Sequence, residues 1–111
     1  MAKTPTPELL PGTLDLLILR TLQNDAQHGW AISERIQQLS QDVLCVNQGS
    51  LYPALHRLEH QGWIDAEWRV SDLGRRAKYY QLTAAGRKQL AIEAKAWERM
   101  AGAIGRVMKL A

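Results

Sequence analysis

The sequence predicts a mainly α-helical fold that carries a small β-hairpin and ends in a long helix. Three observations predict it. Apolar residues recur with helical spacing in three successive segments between Leu14 and Leu58. The period then switches to two, from Ile64 to Val70 and again from Lys78 to Leu82. From Leu90 to Met108 a repeat of alternating spacings of four and three closes the chain. With 111 residues there is room for one core. An apolar fraction of 46% and a charged fraction of 23% are those of an ordinary soluble globular protein.

Pro5, Pro7 and Pro11 mark residues 1–10 as a loose N-terminal arm. Thr13 is the expected cap of the first helix, in which Leu14, Leu17, Ile18 and Leu22 keep helical spacing. Leu16 and Leu19 widen its apolar face almost all round, so this helix should be a central strut enclosed by other elements. Asn24 to Gly29 read as a turn, and Ile32, Ile36 and Leu39 then recur at i, i+4 and i+7 in an amphipathic second helix. After the apolar run Val43 to Val46, Leu51, Leu55 and Leu58 define a third helix that stops at Gly62. Its start is open between two caps. Ser50 keeps Pro53 in the first turn, whereas Asn47 is an equally good cap by type and places Pro53 deeper.

Ile64, Ala66, Trp68 and Val70 alternate with Asp65, Glu67 and Arg69, the pattern of a half-buried strand. Ser71 to Gly74 supply turn residues before the second strand. Thr83 can cap the last helix, whose Leu90, Ala94, Trp97, Ala101, Ile104 and Met108 form a seam of about three heptads, suited to pairing with a second copy of the chain, with packing onto the chain's own body as the competing explanation. Three helices followed by a hairpin are the arrangement of a winged helix-turn-helix domain, here residues 11–83, with residues 84–111 as a C-terminal dimerisation helix.

No apolar run approaches the roughly 18 to 20 residues that a membrane span needs, and the first residues lack the apolar stretch of a secretory signal, so a cytoplasmic protein is expected. Cys45 is the one cysteine, which rules out an intrachain disulfide, and within its apolar run it is expected to be a small buried hydrophobe. A net charge of +3 and a pI near 9.3 tilt the partner list toward nucleic acid.

The location of the charge says more. With Leu51, Leu55 and Leu58 turned inward, the opposite face of the third helix presents Gly49, Pro53, His56 and His60, flanked by Tyr52 and Arg57. Gln48 and Ser50 stand at its N-terminal end, where backbone N–H groups favour a phosphate. These groups can bond base edges or phosphates, and the same residues would also serve as an ordinary solvated face. Arg69, Arg75, Arg76 and Lys78 crowd the hairpin, with Asp72 as the one acid at its tip. A basic hairpin directly after a polar second helix of a helix-turn-helix pair favours double-stranded DNA as the partner. The third helix would enter the major groove, and the wing would reach phosphate or the neighbouring minor groove.

Four stretches, in order, resemble the PadR-type transcriptional regulators: Pro11 to Leu19, His28 to Ile32, Gly49 to Glu59 and Arg76 to Gly86. Position 30, often Tyr in that family, is Trp here. The likeness is greatest to short members with a single C-terminal helix, a subgroup associated with acidobacteria. It implies a homodimer, usually a repressor, joined through the C-terminal helix, with Tyr52 at the DNA backbone and Ser50 and Gln48 nearby. Such a dimer would read a roughly palindromic operator. Some short members take flat aromatic compounds into the dimer interface, and by that resemblance Trp97 is the candidate stacking surface for an effector.

Other classes of function fit less well. His56-Arg57-Leu58-Glu59-His60 matches the H-x-x-E-H pattern of inverted zincins. A catalytic zinc needs three protein ligands, however, and neither a downstream carboxylate motif nor an enclosing scaffold is evident, so no metal, no cofactor and no enzymatic activity are expected. A winged domain turned to protein contact without DNA readout is the remaining alternative, and the basic wing argues against it.

Overall fold

The computed structural model describes residues 11–70 and 72–109. The N-terminal arm and Ser71 of the hairpin turn lie outside them. Along the described chain run α1 (Pro11–Thr21), β1 (Gln27–His28), α2 (Gly29–Leu39), α3 (Gln48–His60), β2 (Ile64–Val70), β3 (Arg76–Leu82) and α4 (Ala84–Met108). This is the mainly α winged helix-turn-helix with a C-terminal helix that the sequence predicts.

The strut is α1. Leu14, Ile18, Leu19 and Leu22 are buried, Leu16 and Leu17 are half-buried, and α2, α3 and α4 all pack against it. Each such side chain withdrawn from water contributes roughly 1.5 to 3 kcal/mol. The helix is already formed at Pro11, so Thr13 lies within it and is not its cap. Donors from elsewhere meet the chain where it ends: the Gln27 side-chain amide reaches the last helical carbonyl, that of Thr21, at 3.0 Å, and the Arg87 guanidinium on α4 reaches the Gln23 carbonyl just beyond the helix at 3.0 Å.

In α2, Ile32 and Ile36 are buried as their spacing requires, but Leu39 is 65% exposed. It is the last residue of the helix, and Gln41 and Asp42 immediately turn the chain away with φ of 54° and 66°. Cys45 is exposed, which corrects the expectation of a buried thiol. The segment before α3 is extended, so neighbours point to opposite sides: Leu44 and Val46 pack on the core while Val43 and Cys45 face out.

Asn47 proves to be the cap of α3, its Oδ1 accepting the Ser50 N–H at 2.8 Å. Pro53 therefore sits inside the helix and deprives the Gly49 carbonyl of its helical donor. Both residues are on the exposed side. Leu51, Ala54, Leu55 and Leu58 fill the inner face. At Gly62 the φ of +79° turns the chain into β2.

The sheet has three antiparallel strands in the order β1-β3-β2. Gln27 and His28 read as turn residues, yet they pair with Tyr80 and Tyr79; two residues are too few to show a period. Ile64, Ala66, Trp68 and Val70 do share one face, but only Ile64 is buried and Ala66 half-buried. Trp68 and Val70 are 60% and 68% exposed, because the wing runs out past the helices.

The junction of β3 and α4 is tightly built. The Thr83 hydroxyl accepts the Gly86 N–H at 3.0 Å and donates to the Gly62 carbonyl at 2.7 Å, while the Thr83 N–H donates to the Trp63 carbonyl at 3.1 Å. A Cβ on Gly86 would lie 1.9 Å from that same Trp63 carbonyl oxygen. Gly86→Ala should accordingly lower the unfolding free energy by about 2 to 3 kcal/mol, and Thr83→Ala by about 1 kcal/mol. Urea denaturation at fixed pH checks both.

Candidate nucleic-acid interface

The outer face of α3 is assembled as its periodicity requires. Tyr52, Pro53, His56, Arg57 and His60 are exposed opposite the buried leucines, with Gln48 and Ser50 exposed at the N-terminal end. This face is also shaped by α2. The ring of Tyr52 lies over Gly29, where an added Cβ would meet the Tyr52 hydroxyl at 2.8 Å and its ring carbons at 2.9 and 3.0 Å. Glycine is required there so that Tyr52 can lie flat between the two helices. The preceding His28 caps α2, its Nδ1 accepting the Ala31 N–H at 3.2 Å, and its ring meets Tyr79 edge-on at 5.5 Å. The pair His28-Gly29 thus joins α2 to both the wing and α3.

The wing cations divide between the two faces of the hairpin. Val70 faces Arg76 and Trp68 faces Lys78 across the strands, on the side that carries buried Ile64 and Tyr80. Arg69 lies on the other side opposite Ala77, over the Tyr79 ring at 5.3 Å and paired with Glu67. Arg76 lies over the Trp68 ring at 5.3 Å. Arg75 is exposed beside Gly74, whose φ of +76° makes the turn.

Ion pairs join α3 to elements on either side of it. Arg57 Nη2 stands 2.8 Å from Asp15 Oδ1 on α1. Lys78 Nζ stands 3.2 Å from Glu59 Oε1 and lies over the Tyr80 ring at 5.5 Å. The first joins α3 to the strut and the second joins α3 to the wing. Burial outweighs the Arg57 guanidinium and holds the Asp15 carboxyl above the usual carboxylate range.

Between α2, α3 and the wing opens a cleft of about 390 Å³ whose walls include Trp30, Tyr52, Trp68, Lys78 and Tyr80. Trp30 and Trp68 are 58% and 60% exposed beside the predicted contact residues, and neither is among them. For Trp68 the sequence signal misleads, since strand alternation turns it inward. Trp30 stands in one of the stretches that carry the family resemblance.

On α4 the heptad divides. Leu90 is buried in the chain's own core, so it offers no surface to a partner, and Ala94 and Ala101 are half-buried. Trp97, Ile104 and Met108 are exposed, and Met100 and Val107, which the heptad leaves out, extend the same face. A groove of about 320 Å³ between α1 and α4 is walled by Leu16, Leu17, Leu44, Leu90, Ala94 and Trp97.

Among the described residues, no group of three or more His, Cys, Asp and Glu is placed to hold a metal ion, and no helix is long and apolar enough to cross a membrane.

Comparison with known proteins points one way. The profile of the Transcriptional regulator PadR-like family matches residues 18–92. The chain is 40% identical over 86 residues to the transcriptional regulator Rv3488 of Mycobacterium tuberculosis, covering 78% of this chain and 77% of that one. A transcriptional regulator from Clostridium thermocellum has the same fold at a TM-score of 0.80 and 28% identity, over 88% of this chain and 95% of that one. A PadR-like transcriptional regulator from Bacillus cereus matches at a TM-score of 0.78 and 25% identity, over 90% of this chain and 95% of that one.

The partly buried Asp15 makes the Arg57 pair testable apart from any ligand. Arg57→Ala leaves that carboxylate without its partner and should lower stability by about 1 kcal/mol. Asp15→Asn in the same chain should restore most of the loss. A double-mutant cycle by urea denaturation reads the coupling.

Proposed function

The chain belongs to the PadR-like family of transcriptional regulators, and we propose that it is a sequence-specific, double-stranded-DNA-binding repressor that acts as a homodimer on a roughly palindromic operator. The observation that carries this reading is the placement of an exposed, aliphatic-free face of α3 beside a basic wing. Gln48, Ser50, Tyr52 and Pro53 lie at the start of that face, and Arg69, Arg75, Arg76 and Lys78 lie on the wing. In this reading α3 enters the major groove. Its first turn and Tyr52 meet the phosphate backbone, and His56 and Arg57 reach base edges. The wing lies along the adjacent phosphates.

Dimerisation is assigned to the outer face of α4. Trp97, Met100, Ile104, Val107 and Met108 are each more than half exposed on a single chain. An apolar stripe of this kind on a long helix favours burial against a second copy. A flat aromatic effector, in this reading, stacks on Trp97 at the mouth of the groove between α1 and α4, whose walls are largely apolar.

Selection of bound fragments from a random duplex pool tests the proposal. The expected product is an inverted repeat, bound with an affinity that falls steeply as salt rises. Failure to enrich any sequence, with weak and salt-insensitive retention, would contradict it. Tyr52→Phe and Arg76→Ala should weaken binding to every sequence, with the Arg76 change flattening the salt slope by about 0.9 if that side chain neutralises one phosphate. His56→Ala should relax base preference while leaving that slope in place.

A further inference from the structure

Arg57, Lys78 and Arg69, three of the cations on the proposed DNA-facing surface, are each held by a carboxylate of the same chain. The three arrangements differ. Asp15 and Glu59 reach from one element to another, over 42 and 19 residues of sequence. Glu67 is two residues from Arg69 on the same strand.

Asp15 is the most withdrawn of these acids, with 18% of its side chain exposed against 49% for Arg57. Moving Arg57 to a phosphate would strand that carboxylate half-desolvated, so the pair resists opening. A guanidinium has five N–H donors, and the bond to Asp15 uses the Nη2 end. The rest of the group stays on the exposed side of α3, pre-oriented by its anchor. Glu59 acts across the gap between α3 and β3. Its bond to Lys78, whose ammonium also rests on the Tyr80 ring, links α3 to the wing.

We infer that Asp15 and Glu59 are specificity-determining carboxylates: each fixes one cation of the DNA-facing surface, Arg57 or Lys78, where a matched duplex can use it, and withholds it from phosphates in general. This rests on the DNA-binding reading above. Sequence-independent binding is almost wholly a matter of cations meeting phosphates. Two tethered cations subtract from that part of the affinity, while their fixed positions serve the part that depends on sequence.

The test measures equilibrium binding of the full-length chain to a random-sequence duplex and to the enriched duplex, each at several salt concentrations. Asp15→Asn and Glu59→Gln are compared with Asp65→Asn, which makes the same change in net charge at an exposed acid of β2 that holds none of these cations. In the first two variants the random duplex should bind several-fold more tightly, with a salt slope steeper by about 0.9 for each further phosphate neutralised. The enriched duplex should bind no better or less well, so discrimination falls. Asp65→Asn should leave discrimination close to that of the unaltered chain. Two results overturn the inference: Asp15→Asn and Glu59→Gln altering both duplexes by the same factor or not at all, or Asp65→Asn reproducing their effect, which would reduce it to net charge. If the unaltered chain binds no duplex, the DNA-binding reading falls and this inference falls with it. If it binds and discriminates but the variants do so equally well, the inference alone falls. Should Asp15→Asn fail to fold, Glu59→Gln decides.

Discussion

Everything in the domain leans on the burial of α1. A chain of this length has apolar residues enough for one core, and α1 supplies Leu14, Ile18 and Leu19 to its middle, with Leu22 immediately after the helix. Because three other helices rest on this one, the angle between α3 and α4 is set by what each finds on α1. The contacts at its ends extend that control. Gln27 takes up the Thr21 carbonyl at its C-terminal end, Arg87 takes up the Gln23 carbonyl just beyond it, and Asp15 in its N-terminal half holds Arg57 of α3. A change in the packing of α4 on α1 is therefore mechanically adjacent to α3.

The wing is placed by a second set of constraints. Its inner face is held by Ile64 and Tyr80 in the core, by Lys78 on Glu59, and by β1, which pairs two residues of backbone with β3 just before α2 begins. His28 and Gly29 occupy this corner for separate reasons, one as cap and ring contact and the other as the space for Tyr52. Beyond Tyr80 the hairpin leaves the helices. Trp68, Val70 and Arg76 there are exposed and contribute no burial to the core.

Most of this architecture is legible in the sequence, because helical and strand periods report which face is buried. That signal locates α1, the inner leucines of α3, both long strands and the cap at Thr83. It fails where burial stops although the pattern continues. Leu39 keeps the helical phase at a helix end, Trp68 and Val70 keep the strand phase on a projecting wing, and the heptad counts Leu90 with residues that face out. Cys45 departs from expectation for a related reason: an apolar run in an extended connection has one side in and one side out. The outer face of α3 can be read from the sequence, since it is the complement of the leucine stripe. The ion pairs from Asp15 and Glu59 cannot, because they join residues 42 and 19 positions apart, and nothing local marks their partners.

The central claim is that α3 and the wing engage DNA as one unit, twice, through a pair of chains joined along α4. Hydroxyl-radical footprinting of the enriched duplex, with the number of bound chains determined by sedimentation of the same complex, tests it most directly. Two chains per duplex should protect two patches on one face of the helix, centred about 34 to 36 Å apart, with guarded major-groove and flanking backbone positions in each. A single protected patch under one chain, or protection confined to the backbone without a repeat, would contradict the account.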